Sequence, residues 1–90
     1  MSAGEDSGRH AVVRAFERYG ITISQEGLRD LEERLRAGEG MILRKDPVDG
    51  TEQRVIRLEG QLVTVVVSQM SRRILTFLPA DAPYARRWGR

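Results

Sequence analysis

The first part of this chain carries apolar side chains at helical spacing. Four apolar side chains recur between residues 12 and 19, and Gly20 follows directly. This spacing predicts a helix over residues 9–19 that ends at Gly20 and turns the four apolar side chains to the core. The four are Val12, Val13, Phe16 and Tyr19.

A second helix is predicted over residues 25–37. Ser24 stands at its start as an N-cap, and Gly38 follows its end as a C-terminal glycine. Its apolar stripe is narrow, and charged residues cover the rest of the helix, so we expect a solvated outer face. The stripe consists of Leu28, Leu31 and Leu35.

After Gly40 the apolar period changes from helix to strand. Short turns separate four segments, and short turns make neighbouring strands antiparallel. The expected fold class is therefore α+β, with two N-terminal helices packed on a four-stranded antiparallel β-meander. The predicted strands cover residues 41–45, 54–58, 62–68 and 73–78.

A two-residue turn at Glu59-Gly60 sets the pairing of the two middle strands. Ile56 then lies opposite Val63, and the apolar alternation marks one face for the helices. The other face is mixed and includes Arg57 and Val66. The register of the last strand stays open, so either face can carry Thr76.

The chain divides into three parts by composition. Residues 1–8 are small and polar and are predicted to be a disordered N-terminus. Residues 9–79 form the single α+β domain. Residues 80–90 form a basic and aromatic C-terminal tail, which is expected to be disordered or to fold back over the sheet.

Residue usage excludes several kinds of site. The chain has no cysteine and one histidine, so disulfides and a zinc site are not expected. No apolar run approaches the roughly 20 residues that span a bilayer. The polar N-terminus does not resemble a signal peptide. We therefore expect a cytoplasmic protein with no cofactor, metal or membrane partner.

Arginine dominates the positive charge of this chain. The net charge is only +2, but fourteen of the fifteen basic residues are arginine. Arginine binds phosphate in bidentate fashion and stacks on bases, so RNA or another nucleic acid is a candidate partner. A genome rich in G and C explains the same bias without any function. The candidate nucleic-acid contacts are Arg57, Arg73, Arg86, Arg87 and Trp88.

The first helix also carries the only histidine. His10, Arg14 and Arg18 recur every fourth residue and form one polar stripe. Phosphate-loop and nucleophile-elbow motifs are absent from the sequence. Metal-independent cleavage of RNA needs only a general acid or base and cationic stabilisation of the phosphorane, because the 2′-hydroxyl of RNA is the nucleophile. This stripe could supply both groups.

One arrangement resembles a known group of ribonucleases. The segment H-A-x-x-R-x-x-x-R-Y-G-I (residues 10–21) opens a helix, and I-L-T-F-L-P (residues 74–79) closes the meander. This resembles small bacterial and phage-borne domains of the barnase–EndoU–colicin–RelE group. The resemblance implies that His10 is the general acid or base, that Arg14 and Arg18 contact the scissile phosphate, and that Thr76 is a phosphate ligand. The chain lacks the second histidine of a paired acid–base site.

Two other interpretations compete with a toxin-like or phage-encoded ribonuclease. The chain could be a non-catalytic accessory protein that binds a host protein or a nucleic acid. It could also be a structural subunit that self-associates, because a core of this size is marginal. The sequence leaves the oligomeric state open.

Overall fold

A computed structural model describes residues 3–79 of this chain, with side chains from Gly8 onward. Two helices precede a sheet whose four antiparallel strands follow chain order. The predicted α+β fold is confirmed. The elements are α1 (Ala3–Tyr19), α2 (Gln25–Arg36), β1 (Met41–Asp46), β2 (Thr51–Leu58), β3 (Gln61–Ser68) and β4 (Ile74–Leu78).

Helix α1 begins at Ala3, six residues before its predicted start. The helix thus includes residues 3–8, and the disorder expected for residues 1–8 stays a prediction. Gly8, in this first part of the helix, is buried and lies near the side chain of Gln25 at the start of α2. A Cβ at this position would lie 2.8 Å from Oε1 of Gln25, so a larger residue would require the flexible end of that side chain to move.

The buried face of α1 differs from the predicted one. Ala11 and Ala15 are fully buried, whereas Val13 is 46% exposed and Phe16 is 61% exposed. The prediction that Val13 and Phe16 face the core is wrong. Small side chains at Ala11 and Ala15 let the α1 backbone approach the sheet closely at β4, and the bulkier residues are therefore turned outward.

Helix α2 follows the prediction at both ends. The Ser24 hydroxyl accepts a hydrogen bond from the Gly27 amide at 3.0 Å. At the other end Gly38 has a φ of +96°, and the Glu39 amide donates to the Arg34 carbonyl at 3.0 Å. These contacts form an N-cap and a Schellman motif, which satisfy terminal backbone groups of the helix.

The two faces of the sheet have different roles. The predicted pairing of Ile56 with Val63 is confirmed, and the residues on that face join the core formed with both helices. We call this the inner face, and its core side chains are Ile56, Val63, Val65, Val67, Ile74 and Phe77. The outer face carries Gln53, Val55, Thr64, Val66, Thr76 and Leu78.

An irregularity in the pairing of β3 with β4 fixes the position of Thr76. The register shifts between Val66 and Val67, so Val67 pairs with Ile74 while Val66 pairs with Thr76. Cross-strand partners project from the same face of a sheet. Thr76 therefore lies on the outer face, and Phe77 lies on the inner face against α1.

Candidate functional site

The predicted stripe on α1 lies at the protein surface. His10 is exposed. The Arg14 guanidinium lies 2.6 Å from a carboxylate oxygen of Glu17, and Arg18 donates to the Phe77 carbonyl at 3.0 Å. Both guanidiniums thus have protein partners, and Arg18 helps to tie α1 to β4.

Thr76 is not brought together with this stripe. Helix α1 packs against the inner-face residues of β4, whereas Thr76 lies on the outer face. The sheet therefore separates the Thr76 hydroxyl from His10 and Arg14. The convergence of these residues on one phosphate, which the ribonuclease hypothesis requires, is not present in this structure.

The remaining predicted contacts are dispersed. Arg57 is exposed on the outer face and pairs with Leu62 on β3. Residues 86–88, predicted as nucleic-acid contacts Arg86, Arg87 and Trp88, lie outside the described residues. Arg73 is different, because it lines a cavity.

That cavity lies between α2 and the start of β4 and measures about 110 Å³. We call it the arginine cleft. Five charged side chains line it, three of them arginines, so its formal charge is +1. They are Arg29, Glu32, Glu33, Arg36 and Arg73. Of these five, the sequence had marked only Arg73 as a binding residue.

Glu32 connects α2 to the start of β4 at the arginine cleft. Its carboxylate is buried, accepts the Ile74 amide at 2.8 Å, and lies 3.5 Å from Nε of Arg73. The buried carboxylate thus ties the start of β4 to α2 and holds Arg73 beside the cleft. A buried charge is tolerated only when it is paired and hydrogen-bonded, and both conditions hold here.

This burial corrects the expectation that the charged side of α2 is uniformly solvated. Glu32 follows Leu28 by one helical turn and precedes Leu35 by three residues, so it lies on the apolar face of the helix. A helical projection of the sequence contains this signal. The apolar count alone, which marked only the leucines, missed it.

The other lining charges divide into one pair and one unpaired group. Glu33 accepts a hydrogen bond from Arg36 at the cleft. Among the described residues, Arg29 makes no ion pair. Its guanidinium therefore keeps its donors available at the surface.

A second buried pair lies at the end of the inner face near the α2 terminus. Nε of Arg54 donates to Glu52 at 2.6 Å. The same guanidinium donates to the carbonyls of Leu35 at 3.1 Å and Glu39 at 3.3 Å. Arg54 thus caps the C-terminal end of α2, where free carbonyls favour a cation, and its role is structural.

The described residues set limits on other chemistry. Residues 3–79 hold twelve basic and twelve acidic side chains, so the excess positive charge of the chain belongs to residues 80–90. In this part of the chain no group of three or more metal-ligating side chains occurs. None of its helices is long and apolar enough to cross a membrane.

Comparison of the chain with known protein families, with curated proteins and with solved structures finds no match.

Proposed function

We propose that this chain is a small RNA-binding module that holds a backbone phosphate at the arginine cleft. The observation that carries the proposal is the placement of Arg29, Arg36 and Arg73 around one surface cavity. Guanidinium groups recognise phosphate oxygens through paired N–H donors. Three of them at one cavity offer more donors than the neighbouring carboxylates use.

The carboxylates at the cleft do not oppose this binding strongly. The oxygens of Glu32 are engaged by the Ile74 amide and by Arg73. Glu33 is engaged by Arg36. A phosphate at the cleft therefore meets carboxylates whose negative charge is already partly compensated. It also meets the guanidinium of Arg29, which makes no ion pair with the side chains described between Gly8 and Pro79.

Binding without cleavage is the simpler form of this function. The cleft contains no histidine, and both of its carboxylates are engaged, Glu32 by the Ile74 amide and Arg73 and Glu33 by Arg36. Thr76 and the α1 stripe lie on opposite faces of the sheet. General acid–base catalysis needs a titrating group within hydrogen-bond reach of the reacting atoms.

Fluorescence anisotropy with a short labelled single-stranded RNA tests the proposal. Exchanging Arg29→Gln and Arg36→Gln together removes two lining guanidiniums without touching the buried pair of Glu32 and Arg73. This change should weaken binding roughly tenfold, equivalent to about 1.4 kcal/mol. The dependence of log affinity on log salt should become shallower by about 0.7 for each phosphate that the variant no longer neutralises. Arg9→Gln, an exposed change on α1, is the matched control and should leave the affinity near that of the parent chain.

Two results would count against the proposal. The parent chain could fail to bind single-stranded RNA at low salt. Alternatively, the Arg9→Gln control could lose as much affinity as the cleft variant, which would indicate diffuse charge attraction and no site. Single-stranded DNA of the same sequence serves as a parallel ligand and shows whether the 2′-hydroxyl contributes.

The resemblance to the barnase–EndoU–colicin–RelE group supports a catalytic alternative, in which His10 at the surface of α1 acts as the acid or base. Incubation of the chain with RNA and EDTA should then give products that end in 2′,3′-cyclic phosphate. His10→Ala should abolish them. Under the binding proposal the RNA stays intact with either chain.

A non-catalytic accessory role has a separate observation in its favour. Val13 and Phe16 form an exposed apolar pair on α1, one turn apart. Aromatic side chains at the surface are common anchors of protein interfaces. Under this alternative, Phe16→Ser should remove binding to a host protein and leave RNA affinity unchanged, whereas the arginine-cleft variants should do the reverse.

A further inference from the structure

We propose that the C-terminal segment, residues 80–90, docks across the outer face of the sheet and closes it as a second, smaller core. This inference does not depend on RNA binding at the arginine cleft. It rests on how deeply the outer face is buried, on unpartnered polar atoms there, and on the place where the described chain ends.

Burial on the outer face is deeper than an uncovered sheet allows. Gln53 and Val66 are each 2% exposed, and Thr64 and Leu78 are each 5% exposed. Both helices place their buried apolar side chains in the inner core, and Val66 and Leu78 are not members of that core. Such burial within a single chain points to cover from the chain itself.

The outer face also holds polar atoms that need partners. Nε2 and Oε1 of Gln53 and Nε of Arg44 are buried and unpaired among the described residues. Arg44 and Gln53 are cross-strand neighbours on β1 and β2. Buried polar groups are almost always hydrogen-bonded. An extended segment lying over them would bring both backbone donors and backbone acceptors to this row.

The chain leaves the sheet at the correct place for such docking. Leu78, the last residue of β4, lies on the outer face beside Thr64. The Tyr19 hydroxyl donates to the Leu78 carbonyl at 2.6 Å and accepts the Thr64 amide at 3.1 Å. This hydroxyl fixes the exit point, so residues 80–90 start at the edge of the face that they are proposed to cover.

The segment is long enough and is tethered. Eleven extended residues reach about 36 Å, whereas three strand spacings span about 14 Å. A short tether gives an effective concentration on the order of millimolar, so modest contacts suffice for docking. Tyr84 and Trp88 supply apolar surface, and the half-buried Val55 and the exposed Leu62 lie on the face to receive it.

Trp88 is the only tryptophan of the chain, so its fluorescence reports on docking directly. In the folded full-length protein its emission should be shifted to shorter wavelength, and acrylamide should quench it less than in the urea-unfolded chain. Val55→Lys introduces a charge on the outer face and should reverse both effects. Val48→Lys, at an exposed turn residue, is the matched control and should reverse neither.

Circular dichroism confirms that each variant is folded before its fluorescence is interpreted. If Val55→Lys unfolds the domain, hydrogen exchange on the unmodified chain replaces it, with protection of the amides of residues 80–90 as the expected result. Solvent-exposed Trp88 in the folded parent chain would overturn the proposal. So would a blue-shifted emission that appears only at high protein concentration, since a second copy would then cover the face.

The same fluorescence measurement with added single-stranded RNA tests whether the ligand, and not residues 80–90, covers the outer face. If Trp88 becomes buried only when the single-stranded RNA is present, the ligand covers the outer face and the proposal is wrong. If Trp88 is buried without RNA, the proposal holds whether or not the arginine cleft binds phosphate.

Discussion

The inner and outer faces of the sheet bury side chains in different ways. The inner face is covered by two amphipathic helices, and its two buried charged residues, Glu52 and Arg54, pair with each other. The outer face buries its central residues equally deeply, yet the amide of Gln53 has no partner within residues 3–79.

A residue of the sheet can therefore be buried without packing against either helix. Adjacent residues on one strand make the contrast sharp. Val65 projects into the inner core and Val66 projects to the outer face, and both are buried. The turn at Glu59-Gly60 predicts that the two valines lie on opposite faces, but the sequence does not show that both faces are buried.

The largest expected effect comes from the inner core. Phe77 is fully buried there and makes an edge-to-face contact with Tyr19 at a centroid distance of 6.3 Å. Phe77→Ala should lower the free energy of unfolding by about 3–5 kcal/mol, because it removes a large side chain and leaves a cavity. Urea denaturation measures the loss. Met70→Ala in the turn between β3 and β4, where the side chain is exposed, is the control and should change stability by less than about 0.5 kcal/mol.

The next largest effect is expected at the buried ion pair of Glu52 and Arg54 on β2. Glu52→Gln leaves the buried Arg54 without its carboxylate and should cost about 3 kcal/mol in urea denaturation. Replacing both members, Glu52→Leu with Arg54→Met, should recover much of the loss, since no buried charge is then left unpaired. If the Glu52→Gln variant is as stable as the parent chain, the pair of Glu52 and Arg54 is solvated and the prediction is wrong.

Substitutions of Val65 and Val66 test the difference between the inner and outer faces most directly. Val65→Ala and Val66→Ala should each cost roughly 1.5 kcal/mol in the full chain, at about 0.8 kcal/mol for each buried methylene equivalent. In a chain that ends at Pro79, the cost of Val66→Ala should fall while that of Val65→Ala stays the same. Equal costs in both chain lengths would remove the argument that residues 80–90 cover the outer face.

The smallest effect concerns a surface pair at the rim of the sheet. The hydrogen bond from Arg34 lowers the pKa of the Glu39 carboxyl below its ordinary value. A carboxyl with a lowered pKa in the folded state adds stability above its unfolded pKa. That stability is lost as the pH falls through the folded value.

Glu39→Gln should therefore flatten the acid limb of a plot of melting temperature against pH and leave its neutral region almost unchanged. The effect should shrink further in high salt, because Glu39 is exposed and the pair is screened. Glu26→Gln, in the first turn of α2 and away from Arg34, is the control for a general change in charge.

Much of the fold could be predicted from the sequence for local reasons. Ser24 and Gly38 end α2 through contacts within a few residues, so their types are sufficient signals. Glu59 and Gly60 have φ values of +53° and +78°, and the two-residue turn that they form sets the β2–β3 register.

The site could not be predicted in the same way, because its parts meet only through tertiary packing. Arg73 and Glu32 are far apart in the chain and come together where β4 starts against α2. His10 and Thr76 were grouped by resemblance, yet the register shift at Val66 turns Thr76 to the other face. A shift of one residue in a strand reverses the face of its side chains.

The sequence by itself determined the elements, their order and the pairing of the two middle strands, since caps, turn residues and apolar period act over a few residues. The tertiary structure decided which side of α1 is buried, because close approach to β4 favours Ala11 and Ala15 over the larger Val13 and Phe16. It also decided which charges meet. Long-range contacts depend on the three-dimensional path of the chain, and no local pattern encodes that path.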